Sequence, residues 1–411
     1  MGGRTSTRRV LVDGHNVVGP DVKEGTHAWD HGCQMFRADT AEFRDTLLAG
    51  WLEKEYAAEW KGRFEAIDGG DFFGVTESHL GPIYCGVGGM CGIVEGLVRG
   101  AEVGGAVVHS GVRVGSVESS AEGGGRKKWL LRGVSGARAF HDTKDNEGSV
   151  ADREKDLLGD FDAVVITDAS AAMDSWHRAS AGLPREFLDG VGGKVTRRAR
   201  VALFSALVAF ERPLSSEAAA AFAIGGSSPV WFAARTASKP GFEDVESECW
   251  TLVSTPEYAA GEIDRVKMRD EKTGEFLPQD PEYLTSEGGP ARVLLAAFEE
   301  VLGGGGLPPV LYLGGQRWGS AFPAPKNSEG RNGDGKGAGT VSVCGVDYDA
   351  SSSMALIGEE GGAGEGDDFV DGGDLDLFYC GDFASGRAPG VEAAALSAVH
   401  CAEAVAKKYN K

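Results

Sequence analysis

Two stretches at opposite ends of the chain carry residue types that suit a nucleotide ligand. Residues 2–8 read GGRTSTR, and Gly381-Asp382 follows a short apolar run and precedes a helix-like segment that starts at Val391. In the second stretch, glycine lets the backbone approach a ligand, and the aspartate can accept a ribityl or ribose hydroxyl. The amides at the helix start attract a phosphate. This pattern suits a flavin, although Gly-Asp before a helix is more often only a turn.

Other chemistry-bearing motifs are absent from the sequence or stand in the wrong context. Gly193-Lys194 lacks the glycine that a phosphate-binding loop requires, and no GxSxG nucleophile elbow occurs. Residues 333–338 spell GxGxxA, but no strand precedes them and no helix follows. The eight histidines do not combine with carboxylates at metal-ligand spacing, and a predicted turn follows His27 before His31. We therefore expect no metal site.

The hydrophobic pattern places both stretches on a framework of helices and strands. Apolar spacing predicts helices over residues 37–60, 89–98, 291–302 and 391–409. Strands are predicted over residues 107–118 and 129–131, which form a hairpin, and over 201–210, 249–254 and 377–379. Residues 161–167 form a continuous apolar run, which is typical of a fully buried parallel strand.

Composition excludes several classes of partner and site. The net charge of −21 removes any bulk attraction to nucleic acid or to an anionic membrane surface. The longest apolar run, residues 201–210, is too short to cross a membrane. Seven cysteines without a CxxC pair indicate free thiols in a reducing compartment. We therefore expect a soluble intracellular protein, in the cytoplasm by default, with an organelle left open because the N-terminus looks incomplete.

Residues 326–375 differ from the rest of the chain. They are rich in Gly, Asp, Glu and Ser, and we predict a largely disordered acidic insertion with one isolated strand over residues 340–348. Two interpretations stay open, a solvated loop without function and a partner-binding acidic loop. The insertion does not explain the 63 glycines of the chain, about twice the usual frequency, because most of them lie elsewhere.

Taken together, these pieces resemble the renalase-like branch of the FAD-dependent amine oxidase superfamily. The resemblance covers most of the chain, and its motifs follow the family's order. They are residues 2–9, 29–36, 58–60, 88–90, 112–114, 162–166, 209–214, 231 with 235, 238–240, 249–252, 256–258, 316–318, 381–382 and 391–393.

The resemblance implies an α/β fold with two domains. A discontinuous FAD-binding Rossmann-like domain of the glutathione-reductase type, with a mostly parallel sheet, would comprise residues 1–50, 81–175 and 376–411. A mixed α+β substrate domain would comprise residues 51–80 and 176–325.

The resemblance also assigns roles to particular residues. Gly2, Gly3 and Arg4 match the motif that meets the FAD pyrophosphate and ribose, where the arginine fork suits phosphate. The other matches are Val114 at the adenine, Gly381 and Asp382 at the ribityl chain and phosphate, Val391 and Glu392 beneath the isoalloxazine, and Gln34 and Phe36 at the flavin face.

Trp231, Arg235, Trp318 and Phe36 are expected on the substrate side, with core packing as the alternative for the tryptophans. No cysteine or histidine is clearly placed for covalent attachment, so the resemblance implies non-covalent FAD. It identifies no catalytic residue.

The implied activity is that of an FAD-dependent oxidoreductase. Hydride would pass from a reduced substrate, an isomeric dihydronicotinamide nucleotide or an amine, to FAD and on to dioxygen, which gives hydrogen peroxide. The expected partners are this small molecule and dioxygen, while protein partners stay unknown. A dehydrogenase that uses free NAD(P) is disfavoured, because Gly381-Asp382 would then have no ligand.

One departure from the family is large. The β-α-β unit with its GxGxxG turn, roughly 35–40 residues, would precede GGR, and it is missing from this sequence. Either the natural protein is longer, or the chain is a non-catalytic remnant that cannot hold FAD. Smaller departures are the long link over residues 11–28 and the sequence TDA at residues 167–169, where the family has a proline turn.

Overall fold

The computed structural model describes residues 3–12, 16–17, 26–73, 78, 80–120, 128–135, 156–168, 183–191, 200–214, 219–226, 228–242, 245, 247–268, 277, 279–323, 340–343, 346–349 and 368–409. The helices within these ranges are α1 (Ala41–Phe43), α2 (Ala49–Glu53), α3 (Cys91–Val103), α4 (Arg185–Val191), α5 (Pro256–Arg265), α6 (Pro281–Thr285), α7 (Pro290–Val301) and α8 (Val391–Tyr409). A π-helical segment, Arg44–Leu48, joins α1 to α2.

The strands of the described residues fall into six sheets. In chain order they are β1 (Thr7–Leu11), β2 (Asn16–Val17), β3 (Thr26–Asp30), β4 (Ala57–Glu59), β5 (Phe64–Ile67), β6 (Tyr84–Gly86), β7 (Val112–Ser120), β8 (Lys128–Ser135), β9 (Asp156–Phe161), β10 (Val164–Ile166), β11 (Arg200–Phe210), β12 (Ala221–Ile224), β13 (Val230–Arg235), β14 (Glu248–Ser254), β15 (Val310–Pro323), β16 (Thr340–Val343), β17 (Val346–Asp349), β18 (Phe369–Asp371) and β19 (Leu377–Cys380).

The largest sheet has six strands in the order β15-β11-β14-β13-β12-β5. Strand β11 lies second in this order, between β15 and β14, and its Ser205 lies opposite Val253 of β14 and Gln316 of β15. Because β11 is covered on both faces, its sequence is an almost unbroken apolar run. The predicted strands over residues 201–210 and 249–254 are confirmed as antiparallel neighbours.

The two faces of this sheet bury different clusters. On one face, alternate residues of β11, including Phe204 and Val208, pack with Leu294 and Phe298 of α7. On the other face, Leu203 joins a cluster that contains Trp51 and the segments around β4 and β6. The sheet is therefore the middle layer between helices and the N-terminal part of the chain.

A smaller sheet, β10-β19-β18, lies under α8. Strand β10 runs parallel to β19, with Val164 opposite Leu377, as the apolar run predicted. The prediction that β10 is fully buried is wrong, because β10 is an edge strand of this sheet and Val165 is 44% exposed. Strand β19 is buried throughout.

Several other expectations need correction. The predicted helix over residues 37–60 covers only residues 41–53, and residues 57–59 form β4. The predicted strand over residues 107–118 begins at Val112. The hairpin with residues 129–131 is confirmed, since β7 and β8 pair antiparallel. Helix α3 extends to Val103, five residues beyond its predicted end, while α7 and α8 lie where the sequence placed them.

The mostly parallel sheet that the family resemblance implies is not formed by the described strands. Only β10 with β19 and β5 with β12 pair in parallel among them. Residues 340–348, predicted as one strand, form the antiparallel hairpin β16-β17. The last residues of the predicted insertion belong to the fold, since β18 pairs with β19. The rest of that insertion lies outside the described residues, and the domain boundaries stay a prediction.

Within the described part of the chain, no helix has both the length and the apolar character needed to cross a membrane.

Candidate functional site

A bidentate ion pair joins the two nucleotide-like stretches. Arg4 Nη1 donates to Asp382 Oδ2 at 2.7 Å, and Arg4 Nη2 donates to Asp382 Oδ1 at 2.6 Å. Arg4 Nη1 also donates to the carbonyl oxygen of Ala321 at 2.8 Å. The guanidinium lies 5.6 Å from the ring centre of Phe383. We call Arg4 and Asp382 the Arg4 clamp.

Local structure positions both sides of the Arg4 clamp. Arg4 lies in a 3-10 turn, Gly3–Thr5, whose glycine has a φ of +50°. Gly381 follows β19 with a φ of +132°, a conformation that favours glycine, and its N–H donates to Ser397 Oγ of α8 at 2.9 Å. Asp382 is buried, whereas the Arg4 side chain keeps 33% of its surface exposed. The clamp therefore presents a half-exposed cation.

The pKa of Arg4 is raised above its ordinary value. Burial lowers this pKa, but the hydrogen bond and the charge of Asp382 outweigh the effect of burial. Arg4 is thus held as a cation on a chain whose net charge is strongly negative.

Gly32 allows the loop after β3 to pass under the Arg4 turn. A Cβ at Gly32 would lie 2.3 Å from the carbonyl oxygen of Arg4 and 3.0 Å from the ring of Trp318, so no larger residue fits. That carbonyl accepts a hydrogen bond from the N–H of Cys33 at 2.6 Å. Trp318 Nε1 donates to the carbonyl of His31 at 2.8 Å, and the two rings stack at 5.3 Å.

His31 is held neutral beside the Arg4 clamp. Ser6 Oγ donates to Gly3 O, so His31 Nε2, 3.0 Å from Ser6 Oγ, must be the donor in that contact. The other ring nitrogen, Nδ1, is buried and has no hydrogen-bond partner. Burial, and then the charge of Arg8, lower the pKa of His31 to about 4.

A second polar cluster, which we call the Asp30 network, lies behind this loop. Lys239 Nζ donates to Asp30 Oδ2 at 2.9 Å, to Gln34 O at 2.9 Å and to Gln34 Oε1 at 3.1 Å. Asp30 Oδ1 accepts from Thr7 Oγ1 at 2.7 Å and from the N–H of Met90 at 2.8 Å. The ammonium also lies 4.9 Å from the ring centre of Trp60. All three ammonium donors therefore have partners in a water-excluded site.

Two predicted residues near this network are already engaged with the protein. Gln34 Nε2 donates to the carbonyls of Asp30 and Gly32, and its Oε1 accepts from Lys239. Phe36 is buried among the rings of Phe43, Trp51 and Tyr84. Their assignment to the flavin face and the substrate side stays a prediction.

The start of α8 faces the segment before α1. Glu392 Oε1 accepts from the N–H and the Oγ1 of Thr40, at 3.1 and 2.6 Å, and its Oε2 accepts from the N–H of Asp39 at 2.7 Å. Thr40 in turn caps α1 through Phe43 N–H. Val391 packs against the large apolar cluster. Helix α8 is thus tied to the start of α1.

The remaining predicted residues have partners other than Arg4 and Asp382. Trp231 packs against Phe73, with ring centres 4.7 Å apart, and Arg235 forms a bidentate pair with Glu248 at 2.7 and 2.9 Å. Val114 lies on β7, 36% exposed, in a sheet separate from β1 and β19. Gly2 lies outside the described residues. In the described ranges, no three His, Cys, Asp or Glu side chains cluster to hold a metal.

Sequence reasoning missed the Asp30 network. The stretches around Asp30 and Lys239 carry the family resemblance, but no local pattern pairs two residues 209 positions apart. The one available signal is a lysine between Ser238 and Pro240 that closely follows the apolar residues 230–234, because a lysine in an apolar setting is seldom buried unless it is paired.

The exposed part of the Arg4 clamp has the chemistry of an anion site. The Arg4 side chain keeps a third of its surface exposed, and a guanidinium suits phosphate and carboxylate groups, although both Nη atoms of Arg4 already donate to protein oxygens. No atom lies within 4 Å of the Cβ position of Gly3 or Gly390, so the backbone at both turns stays open to a ligand. These residues fit the phosphate part of a dinucleotide. A cavity of about 290 Å³ lined by Arg63, Phe222 and Glu299 lies elsewhere, at the end of α7.

Comparisons with known proteins find only distant likeness. No protein-family model matches the chain, and no curated protein sequence matches it. A solved structure from Methanosarcina mazei, described as an oxidoreductase, is 12% identical with a TM-score of 0.39. A solved structure from Exiguobacterium sp. 255-15, provisionally described as a protoporphyrinogen oxidase, is 10% identical with a TM-score of 0.34.

The chain spans only part of these two solved proteins. The first match covers 79% of this chain and 57% of the Methanosarcina protein, and the second covers 59% of this chain and 41% of the Exiguobacterium protein. At these TM-scores, the likeness assigns neither a family nor an activity.

Proposed function

We propose that the protein is an FAD-dependent oxidoreductase with the Arg4 clamp at its cofactor site. The observation that carries the proposal is the bidentate contact of Arg4 with Asp382, because the two stretches predicted to bind FAD lie 378 residues apart in sequence. The half-exposed guanidinium and the open turn at Gly3 favour a ligand.

Each residue of the site has one part in this proposal. Arg4 and the start of α8 bind the pyrophosphate, since both offer N–H donors and positive charge. Asp382 fixes the direction of the Arg4 guanidinium, and Gly381 keeps the backbone free of a side chain. The Asp30 network holds the Gly32 loop that supports the Arg4 turn. When bound, FAD would take hydride from a reduced substrate, a dihydronicotinamide nucleotide or an amine, and pass electrons to dioxygen, which yields hydrogen peroxide.

A direct test is titration of the purified chain with FAD, followed by flavin fluorescence and by the visible absorbance of the isolated protein. We expect saturable binding that Arg4→Met weakens by about 10- to 100-fold, because the charge-assisted contact of Arg4 with the pyrophosphate is lost. Arg185→Met is the matched control, since Arg185 forms an exposed ion pair with Asp189 on α4. The proposal would be overturned if neither the natural chain nor any of its variants bound FAD.

One observation favours a second candidate, a remnant protein without cofactor. The polar atoms of Gln34, the guanidinium of Arg235 and the carboxylate of Glu392 all have protein partners already. If the family role of these residues is lost, the Arg4 clamp would be purely structural. The same titration separates the two candidates, because a remnant stays colourless and leaves flavin fluorescence unchanged.

A further inference from the structure

Two cysteines lie together between β19 and α8. Cys380 is the last residue of β19, and Cys401 lies in the middle of α8. Both are buried, with 3% and 1% of their surface exposed, in one cluster with Phe369 and Phe378. Neither forms a disulfide in the structure.

The surrounding contacts fix this pairing. The N–H of Gly381, directly after Cys380, donates to Ser397 Oγ at 2.9 Å. Ser397 also donates to the carbonyl of Asp368 at 2.5 Å, just before β18. Since Ser397 and Cys401 are four residues apart on α8, they lie on the same helix face. The end of β19 is therefore held against the helix face that carries Cys401.

The two thiols differ from other buried cysteines. A hydrogen bond from Cys401 to Cys380 lowers the pKa of Cys380 despite burial, and the same contact raises that of Cys401. By contrast, burial raises the pKa of Cys33 and of Cys249 to about 11. Because the thiolate is the reactive form, this contact gives the pair a reactive thiol that Cys33 and Cys249 lack.

We propose that Cys380 and Cys401 form a peroxide-sensitive site that closes to a disulfide between β19 and α8. The Cys380 thiolate attacks one peroxide oxygen, the O–O bond breaks, and the departing hydroxide takes a proton and leaves as water. The Cys401 sulfur then attacks the sulfenic sulfur of Cys380, the S–O bond breaks, and a second water leaves. Two thiols thus lose two electrons and two protons, and one hydrogen peroxide becomes two waters.

The link would act on the neighbouring site. Cys380 stands two residues before Asp382, so a covalent bond to α8 restrains the strand end that carries the clamp carboxylate. The proposal does not depend on FAD binding, because it needs only the two thiols and peroxide. Its failure and the failure of the proposed cofactor are therefore separate results.

The test starts from the folded, reduced chain. After treatment with hydrogen peroxide and removal of excess, the thiols are counted in denaturant, and we expect a fall from seven to five. Cleavage before aspartate separates Cys380, in residues 376–381, from Cys344 upstream, so mass spectrometry identifies the linked peptides. Oxidised glutathione, which is too bulky for thiols this buried, should leave Cys380 and Cys401 unlinked in the folded chain.

Variants give an independent readout. Cys401→Ser and Cys380→Ser should each abolish the linked peptide, and Cys401→Ser should instead trap a sulfenic acid at Cys380 that a dimedone-type reagent labels. Cys249→Ser is the matched control, since Cys249 is equally buried in another cluster, and the link should form as in the natural chain. A count that stays at seven, or a link from either cysteine to Cys344, would overturn the proposal.

Discussion

The Asp30 network and the Arg4 clamp are neighbouring ion pairs that differ in their access to water. In the first, the Lys239 and Asp30 side chains are 2% and 0% exposed. In the second, Asp382 is equally buried but Arg4 keeps a third of its side chain in solvent. Both lie along the loop after β3, since Asp30 ends that strand and Gly32 passes under Arg4.

This difference separates a group that holds the structure from a group that can meet a ligand. Every donor of Lys239 ends on protein oxygen, so the Asp30 network has nothing left to offer a substrate. The guanidinium of Arg4 keeps exposed surface beside an open glycine turn. Lys239 is buried and all its donors have partners, so we assign it to holding the structure. Arg4 is partly exposed, so we assign it to binding a ligand.

The largest effect should come from breaking the buried pair. Lys239→Met leaves the Asp30 carboxylate uncompensated in the interior, and we expect a loss of about 3–5 kcal/mol in the free energy of unfolding. Urea denaturation followed by circular dichroism measures this loss. The double change Lys239→Met with Asp30→Asn should recover part of it, because no buried charge remains unpaired. A loss below that of Arg4→Met would contradict the comparison.

His31, between the two regions, should make stability depend on pH. Its pKa is about 4 in the folded protein against 6.5 when exposed, so between these values only the unfolded chain binds the proton. The free energy of unfolding should therefore fall as the pH drops from about 6.5 towards 4.

His31→Phe, which retains a ring against Trp318, removes this contribution. Between pH 6.5 and pH 4, the free energy of unfolding of the natural chain, measured by urea denaturation, should fall by about 2 kcal/mol more than that of the variant, after a discount for partial exposure. Parallel pH profiles for the natural chain and the variant would refute the placement of His31.

The smallest effect on stability should come from the half-exposed pair. Arg4→Met should cost about 1–2 kcal/mol, because water can partly compensate Asp382 once the guanidinium is gone. Thermal unfolding monitored by circular dichroism checks this value. Arg185→Met, at an exposed pair on α4, should change stability by less than about 0.5 kcal/mol. Equal losses in the two variants would place Arg4 among ordinary surface pairs.

The sequence predicted the positions of helices and strands better than their burial and their neighbours. The helix over 391–409 and the strands over 201–210 and 249–254 follow from apolar periodicity, which is a local property. The prediction that residues 161–167 are fully buried was wrong, because an apolar run does not reveal how many neighbouring strands its own strand will have. The helix over 37–60 was too long, because packing of Ala57 beside Gly86 overrides helical spacing there.

For the candidate site, the sequence identified individual residues but not their partners. Arg4 and Asp382 were expected near one ligand, and their direct contact emerges only in three dimensions. Lys239 was quoted only as part of a matching stretch, since its partner Asp30 lies on a different strand. The side-chain oxygen of Gln34 likewise accepts its hydrogen bond from that distant lysine. Long-range pairing is therefore the part that local patterns cannot supply.

The Arg4 clamp also constrains the order in which parts of the protein can fold during synthesis. Arg4 leaves the ribosome 378 residues ahead of Asp382, which at typical synthesis rates corresponds to about 20–75 s of waiting. During that interval β1 can pair with β3, but Arg4, in the turn before β1, lacks its partner Asp382, because the segment after β19 that carries this residue has not yet been made. Completion of this site therefore follows synthesis of β19 and Asp382, long after β1 and β3 can pair.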